Sequence, residues 1–125
     1  MYQLMVVDDS IIIRNKIARS PALQGKFNVV CHAKNGLEAI KMFRQYQPDV
    51  VTMDLNMQMM NGVECIQNLI KINPKIEILV VSAISDKETG IKALEYGANG
   101  FLTKPFSDQA LLKALTELME NSSDY

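Results

Sequence analysis

Val50-Val51-Thr52-Met53-Asp54 is an apolar run that stops at a carboxylate, and Leu55, Asn56 and a methionine-rich loop lead on from it to Gly62. A β-branched run bounded by turn residues has the signature of a buried parallel strand. Asp54 is therefore expected at the tip of that strand, on the edge where open α/β sheets receive ligands. Whether the rest of the chain repeats this pattern decides the fold. Which polar groups reach the same edge decides the chemistry.

The pattern does repeat. Residues 4–7 form a short apolar run ending at Asp8-Asp9, and Ser10 precedes a helical segment with Ile13 and Ile17 on one face. Pro21 and Gly25 close that helix, and residues 27–33 supply a second β-branched run. Asn35 with Glu38, Asn61 with Glu64 and Ser85 with Glu88 each place a capping side chain three residues before a carboxylate, which predicts three helix starts. The expected buried stripes are Leu37, Ile40 and Phe43; Val63, Ile66 and Ile70; Ile91 and Leu94. Residues 76–81 and 100–103 read as the fourth and fifth strands, and Ser107 caps a last helix buried through Leu111, Leu115 and Leu118.

Five β-then-α units predict an α/β fold, a doubly wound five-stranded parallel sheet with five helices. Five units are too few for an eight-stranded barrel. At 125 residues the chain is expected to be a single domain spanning residues 1–125, with only residues 121–125 as a tail. A formal charge of −1 and scattered Lys and Arg provide no field for nucleic acid or anionic lipid. Cys31 and Cys65 form no CxxC pair and read as buried free thiols, and His32 as a structural residue. No run of about 18 apolar residues and no export signal is present, so a cytoplasmic location is expected.

In such a sheet the strand tips share one edge, which gathers Asp8, Asp9, Asp54, Ser82 and Lys104. Three carboxylates together repel and raise one another's pKa unless a cation sits among them, and oxygen ligands favour a hard ion, magnesium (Mg2+). Lys104 and Ser82 add an ammonium and a hydroxyl donor suited to phosphoryl oxygens. The set points to phosphoryl transfer to or from Asp54 through an acyl phosphate. Met57, Met59 and Met60 read as gap-fillers or an adaptable surface rather than a copper site.

The chain resembles the receiver domain of two-component response regulators, CheY-like in organisation, that is, like the single-domain chemotaxis regulator. The resemblance spans almost the whole chain. It rests on Val6-Val7-Asp8-Asp9-Ser10, Asp54-Leu55-Asn56-Met57 through Asn61-Gly62, Ser82-Ala83, Gly97-Ala98-Asn99-Gly100-Phe101 and Lys104-Pro105-Phe106. It implies a flavodoxin-like strand order 2-1-3-4-5 and a phosphoryl group taken from a CheA-like histidine kinase onto Asp54. It further implies Mg2+ on Asp9, Asp54 and the backbone carbonyl of Asn56, with Asp8 acting through water. Lys104 and Ser82 would grip the phosphate, Phe101 would turn inward as Ser82 moves, and Lys104-Pro105 would be cis. By resemblance the docking partner is a flagellar motor switch protein or a phosphatase, met by a monomer or by a dimer formed on activation. A phosphorelay intermediate, a phosphate sink and a receiver cut from a longer protein are the alternatives within the family.

Two residues depart from the family pattern. Gln58 stands where a proline usually follows the methionine, which predicts a less restrained loop, and Phe101 lacks the hydroxyl of the tyrosine found in the best known chemotaxis regulators. Ile84, two residues after Ser82, is expected to shield the phosphate from water. The rival enzyme reading, a haloacid-dehalogenase-like phosphohydrolase, would place its Asp-x-Asp early and its acidic pair late, the reverse of the order here. A flavodoxin-like flavin carrier would need a glycine- and hydroxyl-rich loop where Asp8-Asp9 stands.

Overall fold

The computed structural model describes residues 1–122, with Ile84 and Ser122 as backbone only. The expectation for Ile84 and most of the 121–125 tail thus lie outside the described groups. The strands are β1 (Tyr2–Val7), β2 (Phe27–Ala33), β3 (Val50–Met53), β4 (Glu77–Ala83) and β5 (Gly100–Lys104). The helices are α1 (Ile11–Ala18), α2 (Gly36–Tyr46), α3 (Gly62–Ile72), α4 (Lys87–Glu95) and α5 (Asp108–Ser122), with 3-10 turns at Pro21–Leu23 and Ile84–Asp86.

All four strand pairings are parallel and the order is β2-β1-β3-β4-β5, as expected. The chain runs outward from β1 to β2 and then crosses back to β3, so strand order reverses between β1 and β3. That reversal opens a crevice at the strand tips. Val7 pairs with Met53, which sets Asp8 and Asp54 side by side one step beyond the sheet, and the Asp54 N–H donates to the Val7 carbonyl at 2.9 Å.

Alternation along the strands divides the core in two. Met5, Val7, Val51, Met53, Ile78 and Val80 face Phe43, Ile66 and Leu69 of α2 and α3. Leu4, Val6, Val50, Leu79 and Val81 face Ile17 of α1 and Leu111, Leu115 and Leu118 of α5. Each such fully buried side chain contributes about 1.5–3 kcal/mol of transfer free energy.

Three local expectations fail. Leu37 is exposed, and α2 buries Gly36 and Ala39 beside the expected Phe43. On α4, Ile91 and Leu94 are exposed while Gly90 and Ala93 are buried, because the helix lies against the Phe101 ring with no room for a larger residue at 90. Ser85 does not cap α4. It lies in the 3-10 turn, α4 starts at Lys87, and Asp86 holds the cap position without a side-chain cap bond. The caps at Asn35 and Asn61 do form, at 2.8 and 2.9 Å to the N–H groups of Glu38 and Glu64.

Candidate functional site at the β1/β3 tips

Asp8 is held from both sides of its own turn. Its Oδ1 accepts from the Ser10 N–H at 2.9 Å, its carbonyl accepts from the Arg14 guanidinium at 2.6 Å, and the Ser10 hydroxyl caps α1 by accepting from the Ile13 N–H. Asp54 Oδ1 accepts from the Asn56 N–H at 3.2 Å. The start of α3 is pressed against this backbone. Gly62 donates its N–H to the Leu55 carbonyl at 3.1 Å, and a Cβ there would lie 2.6 Å from Leu55 Cα and overlap the Asp54 carbonyl oxygen.

Lys104 comes from β5, three strands away from β1, through a cis Lys104–Pro105 bond. Its ammonium sits 2.8 Å from Asp8 Oδ2 and 3.8 Å from Asp54 Oδ1. Asp8 and Asp54 are only 2% and 4% exposed, so this lysine compensates two buried carboxylates at once. The third, Asp9, is exposed, and one oxygen of each of the three lies within 4.8 Å of the others.

Burial and then the Asp8 charge push the Asp54 carboxyl up to about 7. The Lys104 ammonium and the Asn56 N–H pull it back, and Asp9 raises it again. A surplus of negative charge on clustered, hard oxygen donors suits a divalent cation such as Mg2+. Asn56 is exposed beside them.

Ser82 is buried in β4 opposite Thr103, and its hydroxyl donates to Asp86 Oδ2 at 2.8 Å, not to Asp54. Phe101 is half-buried and lines a shallow cavity of about 340 Å3 with Lys87, Gly90, Ile91, Leu94 and Thr103. A larger cleft of about 710 Å3 opens beside Asn56, between the starts of α3 and α4, with Asp86, Thr89 and Lys92 on one wall. Sequence reasoning gathered the five strand-tip residues but missed Arg14 and Asp86. No local spacing announces the latter, since Ser82 lies in a strand and Asp86 closes the 3-10 turn that follows it.

The loop after Asp54 turns at Gln58-Met59-Met60. The Met60 N–H donates to the Gln58 carbonyl at 2.8 Å across Met59, whose φ is +70°, a γ-turn of the rare, strained hand. Met57 is buried, Met60 wedges against Gly36, and Met59 is 74% exposed. Cys31 and Cys65 are buried free thiols, pushed up by burial to about 11 and about 12. His32 is half-buried, and burial and then the Arg14 charge lower its pKa.

The family model for the response regulator receiver domain matches residues 4–116, and the chain belongs to that family, the receivers of two-component systems. Its relatives include the chemotaxis protein CheY of Listeria monocytogenes, 34% identical over 92% of this chain and 96% of that one. CheY of Thermotoga maritima is 33% identical over 93% and 96%. The crystal structure of the response regulator domain of Thermotoga maritima CheB superimposes with a TM-score of 0.84 at 30% identity, covering 100% of this chain and 98% of that one. Among the described residues no helix is long and apolar enough to cross a membrane.

Proposed function

We propose that the chain is one receiver domain whose Asp54 accepts a phosphoryl group from the phosphohistidine of a CheA-like histidine kinase. The observation that carries this reading is the buried Asp54 carboxylate beside Asp8 and Asp9, with the Lys104 ammonium 3.8 Å away. In the transfer an Asp54 oxygen forms a bond to phosphorus as the phosphorus–nitrogen bond breaks, leaving the donor imidazole and an acyl phosphate. Burial and the Asp8 charge raise the Asp54 carboxyl to about 7, so a cation held beside it would favour the ionised form that attacks phosphorus.

Asp9, Asp54 and the Asn56 carbonyl would hold Mg2+, with Asp8 acting through water. The ion when bound supplies positive charge against the carboxylates and the phosphoryl oxygens. Lys104 binds and orients the phosphoryl group from the β5 side, and Ser82 donates its hydroxyl to it from β4. The same groups promote hydrolysis of the product, so the domain sets the lifetime of its own signal.

Output goes through the face made by α4, β5 and α5, where the exposed Ile91 and Leu94 line one cavity with the half-buried Phe101. By resemblance to chemotaxis regulators, the leading target is a flagellar motor switch protein met in the cytoplasm, with a phosphatase as a second partner; the similarity to chemotaxis proteins supports this reading. Incubation with Mg2+ and acetyl phosphate tests the chemistry. One phosphoryl mass should appear on Asp54 of the wild type; no adduct, or an equal adduct on Asp54→Ala, would sink the mechanism.

A further inference from the structure

A serine hydroxyl has one proton and donates one hydrogen bond. In the unphosphorylated chain that proton is already given. Ser82 is 1% exposed, and its Oγ–H donates to Asp86 Oδ2 at 2.8 Å. Donation to Asp86 and donation to a phosphoryl oxygen on Asp54 are therefore mutually exclusive. The acceptor in place is a charged carboxylate, the kind that makes shorter and stronger bonds than a neutral one.

Asp86 has a second place to go. It occupies the cap position of α4, where a carboxylate is favoured by the unpaired N–H groups and the helix dipole, yet it makes no side-chain cap bond there. It also borders the cleft of about 710 Å3, so it is not walled in. One turn further along α4, Gly90 lies under the Phe101 ring, with its would-be Cβ 2.9 Å from Phe101 Cδ2. A carboxylate moving from Ser82 to the start of α4 changes how the first turn of that helix is held. That turn leads directly to the surface the ring rests on.

We propose that Asp86 is a positioning residue, an internal competitor that withholds the Ser82 hydroxyl from the phosphoryl group and, once displaced, caps α4. The inference rests on the reading of Asp54 as the phosphoacceptor. The unphosphorylated state is thereby held by one specific bond, and capture of Ser82 by phosphate is coupled to the tightening of α4 beneath Phe101.

The test is a double-mutant cycle read as the rate of phosphorylation by acetyl phosphate with Mg2+, followed by mass spectrometry on wild type, Asp86→Ala, Asp86→Asn, Ser82→Ala and the Ser82→Ala/Asp86→Ala pair. Asp86→Ala should speed phosphorylation about tenfold, equivalent to ~1.4 kcal/mol. Asp86→Asn, which keeps an acceptor, should gain less, and Asp86→Ala should change nothing when Ser82 is already alanine. An equal gain in the Ser82→Ala background means that loss of a negative charge is the whole effect, and the proposal fails. Unchanged rates in both Asp86 variants, with the Asp54 adduct still formed, overturn the competitor alone. No adduct on any variant overturns the reading of Asp54 and the competitor with it.

Discussion

At Asp54, burial and the Asp8 charge outweigh Lys104 and the Asn56 N–H and leave the carboxyl near 7. The unfolded chain ionises it near 4. Between those values the folded state holds a proton that the unfolded state has lost, so this residue's contribution to stability falls as pH rises from about 4 to about 7 and is then constant. Asp54→Asn removes the penalty. In metal-free urea titrations the variant should match wild type at pH 4, gain through pH 7, and stand on the order of 2–4 kcal/mol more stable at pH 8. A gap that does not change with pH would show that Asp54 ionises normally. Met59 offers a second test, because its left-handed φ of +70° costs a non-glycine residue and its exposed side chain has little packing to lose. Met59→Gly should stabilise by about 1 kcal/mol, and Met59→Val, β-branched in the same turn, should destabilise, both read as urea midpoints. The strained residue follows Gln58 directly and lies five residues beyond the acid.

The start of α3 does two separable things. Asn61 caps the helix, and Gly62 lets it approach the Asp54–Leu55 backbone. Asn61→Ala should cost about 1 kcal/mol while leaving acetyl phosphate labelling intact. Gly62→Ala should cost about 1–3 kcal/mol and also slow labelling severalfold, since the clash falls on backbone that cannot swing aside. Parallel denaturation and labelling rates check the pair, and loss of labelling in Asn61→Ala would tie the cap to the site after all. The contrast also shows what could be read from the chain. Asn61 and Asn35 were legible because a cap depends on residues three apart. The Ser85–Glu88 pair has the same spacing, yet Ser85 sits in a 3-10 turn and the residue after it is drawn to Ser82, a contact made only once β4 has run on to Ala83. Likewise Ile91 and Leu94 are the apolar choice for a buried stripe, but α4 lies too close to Phe101 for them and buries Gly90 and Ala93 instead. Apolar runs ending in acids announce strand tips. Close approach between elements leaves no periodic mark.

Across the whole molecule, the site joins residues nearly a hundred positions apart because parallel strands deliver their tips to one edge. Lys104 from β5 closes this arrangement by meeting Asp8 beyond β1 at 2.8 Å. It holds a structural place there, for without it the buried Asp8 and Asp54 carboxylates would face each other with no ammonium beside them. Removing one partner of a buried ion pair typically costs about 3–5 kcal/mol, and the partial exposure of this lysine, 22%, reduces that to roughly 2–3. Lys104→Ala should therefore be less stable by about that amount at pH 8 without divalent ions. The loss should shrink at pH 5, below the value near 7, where Asp54 holds its proton and one of the two charges is gone. Mg2+ should act in the same direction by binding only the folded carboxylates, adding about 1.4 kcal/mol at tenfold over its dissociation constant. The variant, with more unbalanced negative charge, should gain more from Mg2+ than wild type does. Urea denaturation at both pH values, with and without Mg2+, checks this; an equal Mg2+ gain in the two proteins would mean that Lys104 does not offset the repulsion among Asp8, Asp9 and Asp54.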